Sequence, residues 1–120
     1  MKEQLITFDT AKLAKEKGFN WVVERYFDFI GDECSNSGMT NFNESKEKLY
    51  SRPTQSLLQK WLYETKLLWV EPIYNEYHKW FQCVIYDLRT NDCLGDVFGD
   101  QSKTPFEALE KGLQEALKLI

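Results

Sequence analysis

Hydrophobic and polar positions follow two different periods along this chain. From Thr104 onward the apolar residues Ala108, Leu109, Gly112, Leu113, Ala116 and Leu117 return every three or four positions, the spacing of one helical face. The segment opens with a complete start signal. Thr104 is placed to cap the first turn, Pro105 stands at the first helical position, and Glu107 three residues after the threonine completes a capping box. Glu107 and Lys111, four apart, support a solvated outer face. Gly112 lies inside the apolar stripe, where it marks close packing onto a neighbouring element.

The same period occurs twice earlier. Thr7 reads as the cap of a helix over Phe8 to Lys17, with Ile6 and Ala11 as a staple and Gly18 as its terminator. Pro53 and Thr54 open another, whose face is Leu57, Leu58, Trp61 and Leu62 and which runs to about Lys66. Between Leu67 and Leu88 the residues become β-branched and aromatic. Leu67–Tyr74 and Trp80–Leu88 read as a hairpin across Asn75–Lys79, and a turn at Thr90-Asn91-Asp92 leads to a shorter strand near Cys93–Phe98. Pro72 makes Leu67–Tyr74 an edge strand or a bulged one. Trp21–Ile30 fits both a strand and a helical face, and the strand reading is preferred. Gly31–Ser51, rich in Ser, Asn, Asp and Glu, reads as a long loop with a short extended piece at Thr40–Asn43. The expectation is an α+β fold: a small antiparallel sheet of three to four strands with three helices, in the order α-β-α-β-β-(β)-α, in one domain over residues 1–120.

Composition narrows the function classes. The chain has 120 residues and a formal net charge of −4. Phosphate binding draws its affinity from Lys and Arg, so an acidic chain is a poor candidate for nucleic acid. Aromatic residues make up 15% of the chain, enough bulk for a core without cross-links. Cys34, Cys83 and Cys93 are odd in number and have no CxxC spacing. No membrane span and no leader are expected, since Met1-Lys2-Glu3-Gln4 runs straight into a capped helix. These features suggest a cytoplasmic protein with reduced thiols.

Three blocks carry a resemblance. They are Thr10–Phe19, Pro53–Leu62 and Glu107–Ile120, from both ends and the middle of the chain. Together they resemble a family of short uncharacterised proteins of gut bacteria and their phages. That family supplies no activity, and so no catalytic or binding residue is carried over from it. Gly31–Ser51 and Asp92–Gly99 match none of its blocks.

Thr10–Phe19 has the opening rhythm of a helix-turn-helix, but Glu24 stands where the second helix needs an apolar residue. Glu33, Ser35, Ser37, Gly38, Asn41 and Glu44 fall on an EF-hand-like register with serines at two carboxylate positions, and a solvated loop explains them better. His78, the one histidine, falls in the hairpin turn without a nucleophile to serve. Zinc would need His78 and the three cysteines to converge from four separate segments. Asp28 with Asp32, and Asp96 with Asp100, read as turn and strand-end carboxylates. No phosphate-cradling glycine loop is present. The remaining signal is aromatic: Trp69, Tyr74, Tyr77, Trp80 and Tyr86 cannot all face a core, so Trp69, Tyr74, Tyr77 and Trp80 are the candidate interaction surface. The expected function is a small non-enzymatic accessory or protein-interaction domain, with no cofactor and no metal, whose partner is a protein or a second copy. A nucleic-acid-associated or phage-derived regulator is the alternative, and an enzyme comes third.

Overall fold

The computed structural model describes residues 3–120, except the side chains of residues 95–100. The elements are α1 (Phe8–Glu16), β1 (Val23–Phe27), β2 (Glu33–Thr40), a 3-10 turn (Phe42–Glu44), β3 (Tyr50–Ser51), α2 (Gln55–Lys66), β4 (Leu68–Asn75), β5 (Trp80–Asp87), β6 (Asp92–Ser102) and α3 (Pro105–Lys118). This is an α+β fold with three helices and two antiparallel sheets. The chain falls into two compact units, Met1–Leu57 and Leu58–Ile120, with the division inside α2.

The first unit contains a sheet ordered β2-β1-β3. Trp21–Ile30 does form a strand, trimmed to Val23–Phe27. The expected long loop is a correction. Gly31–Ser51 supplies β2, the 3-10 turn and β3, and Gly31, Asp32, Asn41 and Ser45–Leu49 remain outside these elements. The polar run Glu33–Thr40 pairs because its backbone bonds to β1, while its side chains are almost all exposed. It carries neither of the periodicities by which a strand is recognised from sequence. Its register slips between Val23 and Arg25: Val23 faces Thr40 but Arg25 faces Ser35, so Asn36–Met39 bulge outward. Asn43 fastens the returning chain. Its side-chain amide donates to the Phe19 carbonyl at 2.8 Å, and its carbonyl accepts from the Ser51 N–H at 2.9 Å. Helix α1 is capped by Thr7 and contributes Phe8, whose ring lies 5.2 Å from that of Phe27 and 5.4 Å from that of Tyr50.

In the second unit β4-β5-β6 form a meander, and α3 packs on all three strands. The strand β4 carries Pro72 at the sheet edge without a register slip, so the proline is accommodated by edge position alone. The third strand runs well past the expected Phe98, to Ser102. Repeated register slips against β5 and a left-handed Gln101 (φ 63°) lengthen it. The α3 cap is formed by the Glu107 N–H donating to the Thr104 hydroxyl at 3.1 Å. The reciprocal bond is displaced by one residue: the Glu107 carboxylate accepts from the Lys103 N–H at 3.3 Å. All six stripe residues, Ala108, Leu109, Gly112, Leu113, Ala116 and Leu117, are buried. Each leucine of the stripe contributes roughly 1.5–3 kcal/mol of transfer free energy.

Beneath Gly112 lies Cys83, fully buried on β5. Burial pushes its thiol from an ordinary value of 9.0 up to about 12. A folded-state value raised in this way stabilises the fold below about pH 9 and is lost as pH climbs from about 9 toward about 12. Thiolate is the reactive form, so Cys83 is expected to resist alkylation at pH 8 until the protein unfolds, while the exposed Cys93 reacts at once. Mass mapping after a short iodoacetamide pulse, with and without denaturant, checks this. Cys83 labelled as fast as Cys93 in the native protein would contradict it.

Candidate functional site

The expected aromatic surface is divided by the pleat of the second sheet. Trp69 pairs with Tyr86 and Asn75 with Trp80, which places these four residues on one face. Tyr74 pairs with Phe81 on the other face, the one that Val70 and Cys83 turn toward Gly112. Tyr77 belongs to neither face; it sits in the connecting turn. The structure therefore does not bring Trp69, Tyr74, Tyr77 and Trp80 together as one patch. Both tryptophans are half-buried and already hydrogen-bonded, the Trp69 indole to Glu71 at 3.0 Å and the Trp80 indole to Gln82 at 3.0 Å. What is exposed is the hairpin tip, with Tyr74 52% and Tyr77 89% accessible. The side chain of Asn75 accepts from the Tyr77 and His78 N–H groups at 3.0 Å each and so fixes the turn. The His78 ring stacks on Trp80 at 4.3 Å, the place of a turn residue packed on its neighbour.

The other candidates resolve locally. The segment after Gly18 is β1, so no second helix completes a helix-turn-helix at Thr10–Phe19. Glu33, Ser35, Ser37 and Gly38 lie along β2, which is not the coiled loop an EF-hand needs, while Asn41 caps the 3-10 turn and Glu44 ends it. Among the described residues no three His, Cys, Asp or Glu side chains are placed to hold a metal ion. The side chains of Asp96 and Asp100 lie outside the described residues. Asp28 and Asp32 flank the β1–β2 turn, and the Asp28 carboxylate accepts from the Ile30 N–H at 3.1 Å and the Asp32 N–H at 2.9 Å. Its role is therefore to shape the turn.

That turn is the feature the sequence reading missed. Phe29 and Ile30, consecutive and bulky, are 69% and 63% exposed. They are held there by structure. Asp28 ties the backbone from within, and Gly31 takes a left-handed φ of 91° against the Phe8 ring, where an added methyl would come within 2.9 Å of a ring carbon. Only glycine suits that combination. The available sequence signal was Asp28-Phe29-Ile30-Gly31-Asp32 itself, a turn vocabulary enclosing two apolar residues.

The same unit also carries an apolar cleft of about 180 Å³. Its walls are Leu5, Val23, Met39, Pro53 and Leu57, with Glu24, Arg25, Arg52 and Thr54 as the polar members. Four pieces of chain bring these residues together. The backbone of Ile6 bonds to Pro53 at 3.1 Å and Gln55 to Gln4 at 2.7 Å, the bulge of β2 delivers Met39, and β1 delivers Val23 and Arg25. Arg52 is already occupied: it donates to the Ile6 carbonyl at 2.9 Å, pairs with Glu33 at 3.0 Å and stacks over Phe27 at 4.6 Å. Arg25 is exposed and enters no ion pair among the described residues.

Comparisons of the chain with family models, with curated proteins and with solved structures find no match. No helix among the described residues is long and apolar enough to cross a membrane.

Proposed function

We propose that this protein is a non-enzymatic interaction module that binds a protein partner through apolar residues held rigidly on its hairpin tips and around the cleft of the first unit. The observation that carries this reading is the Asp28–Asp32 turn. Two adjacent large apolar side chains in solvent are costly for a protein that has no use for them. Here a carboxylate and a left-handed glycine fix them in place. A preorganised loop loses little entropy on binding, which favours affinity. The cleft fits the same reading. It is smaller than the roughly 300–1,000 Å³ typical of small-molecule sites and suits one or two anchoring side chains.

The test compares affinity capture from the native host by the parent chain and by a Phe29→Ser, Ile30→Ser double variant. Both side chains are exposed, so the fold is expected to hold within about 0.5 kcal/mol. A protein retained by the parent and lost by the variant supports the reading. The same proteins retained by both would sink it, as would none retained by either from a chain that is also monomeric in solution.

A further inference from the structure

We infer that the partner of the Phe29–Ile30 turn is a second copy of this chain, which receives the turn in its own cleft. This inference rests on the interaction reading above and names the occupant of that surface.

The turn and the cleft are complementary in shape class and in charge. The turn offers two apolar side chains beside the exposed carboxylates of Asp32 and Glu33. The cleft offers an apolar floor of one- or two-side-chain size with the exposed guanidinium of Arg25 at its rim. Glu33 is engaged with Arg52, and Glu24 shares the rim, so the charge pair left for recognition is Asp32 with Arg25. Neither of these two side chains enters an ion pair among the described residues.

Topology makes the contact intermolecular. Val23 opens β1 and Arg25 is its middle residue, while Phe29, six residues after Val23, and Ile30 follow its end. Six residues of extended chain span about 20 Å, and β1 is paired on both sides, so the turn cannot fold back into its own cleft. A second copy running antiparallel brings each turn to the other's cleft. The two contacts are then equivalent, which closes a two-fold dimer and leaves no open end for a filament. The contact is small and partly polar, so the dimer is expected to be weak, on the order of micromolar.

Sedimentation velocity of the full chain over a concentration series tests this. The parent is expected to shift from monomer to dimer as concentration rises, and Phe29→Ser to remain monomeric. Arg25→Asp and Asp32→Arg should each weaken the dimer about tenfold or more by placing like charges together. The Arg25→Asp, Asp32→Arg double variant should recover most of that loss, which a merely unfolded variant cannot do. A parent that is monomeric throughout, a dimer indifferent to Phe29→Ser, or a double reversal without recovery each overturns the inference. If the chain is monomeric and the Phe29→Ser, Ile30→Ser variant still loses a host protein, self-association falls and the interaction reading stands. If neither is seen, both fall.

Discussion

A Gly112→Val protein is expected to lose the folded second unit, or to retain it only marginally. A Cβ at position 112 would lie 2.3 Å from the Cys83 sulfur, 2.8 Å from the Cys83 Cβ and 3.1 Å from a Val70 methyl. The sulfur could rotate away, but the Cys83 Cβ is fixed to β5 and cannot move unless the strand does. Valine then adds two methyl groups in the same space. Overpacking of this kind costs about 1–3 kcal/mol and occasionally more, and this site belongs at or above the upper end. The helix-propensity gain on replacing glycine is a few tenths of a kcal/mol and does not compete. Gly112→Ala should be milder: about 1 kcal/mol of propensity offsets part of the strain, and a second change, Cys83→Ala, should recover part of the remainder by removing the closest atom. Chemical denaturation followed by tryptophan fluorescence and far-UV circular dichroism measures all three. A Gly112→Val protein as stable as the parent would mean that α3 does not rest on β5 through this residue.

Gly112 also shows what kind of information the sequence carries openly. The stripe and caps of α3 were readable because each rests on contacts within a few residues: Thr104 with Glu107, and the spacing of Ala108, Leu109, Leu113, Ala116 and Leu117. That the glycine marked a close approach was readable too, and the surface it approaches is the sheet, at Cys83 and Val70. The β4–β5 hairpin was visible for a similar reason, since strong β-formers flank turn residues. Strand β2 was not. Its run Glu-Cys-Ser-Asn-Ser-Gly-Met-Thr is solvated on both faces, so no alternation marks it, and what makes it a strand is the backbone of β1. The third strand of that sheet, β3, is two residues long and has no period at all. The candidate site was hidden by the same cause. Leu5, Val23, Met39, Pro53 and Leu57 meet only after the bulge and the Ile6–Pro53 pairing have formed, and no local pattern foretells that. The aromatic surface was drawn from residue type without register, and Tyr74 with Trp69 differ by an odd number of positions on one strand, which sends them to opposite faces.

Replacing Arg52 by alanine should produce the largest loss available in the first unit from a polar side chain. Three interactions converge on this group, and its side chain is only 15% exposed. Its Nε–H is bonded to the carbonyl of Ile6, a residue with no exposed surface, so truncation leaves that oxygen without this donor at a cost of about 1–3 kcal/mol. The guanidinium plane over Phe27 adds about 0.5–2 kcal/mol, and the stem packs as an apolar chain. The pair with Glu33 adds little, because that carboxylate is 69% exposed and screened by water. The expected sum is roughly 2–4 kcal/mol, short of strict additivity. Lysine should restore less than half, since an ammonium can neither bond in a fork nor stack flat on a ring. Glu33→Ala should change stability by no more than about 0.5 kcal/mol. Hydrogen exchange localises the effect: in Arg52→Ala, protection should fall first at Ile6, next to the cleft residue Leu5, and along β1. If Glu33→Ala proved as damaging as Arg52→Ala, the exposed ion pair would be the stabilising contact and the buried carbonyl a bystander. The opposite ranking ties the shape of the cleft to one guanidinium, and the Arg52→Ala protein should then lose its self-association together with its fold margin.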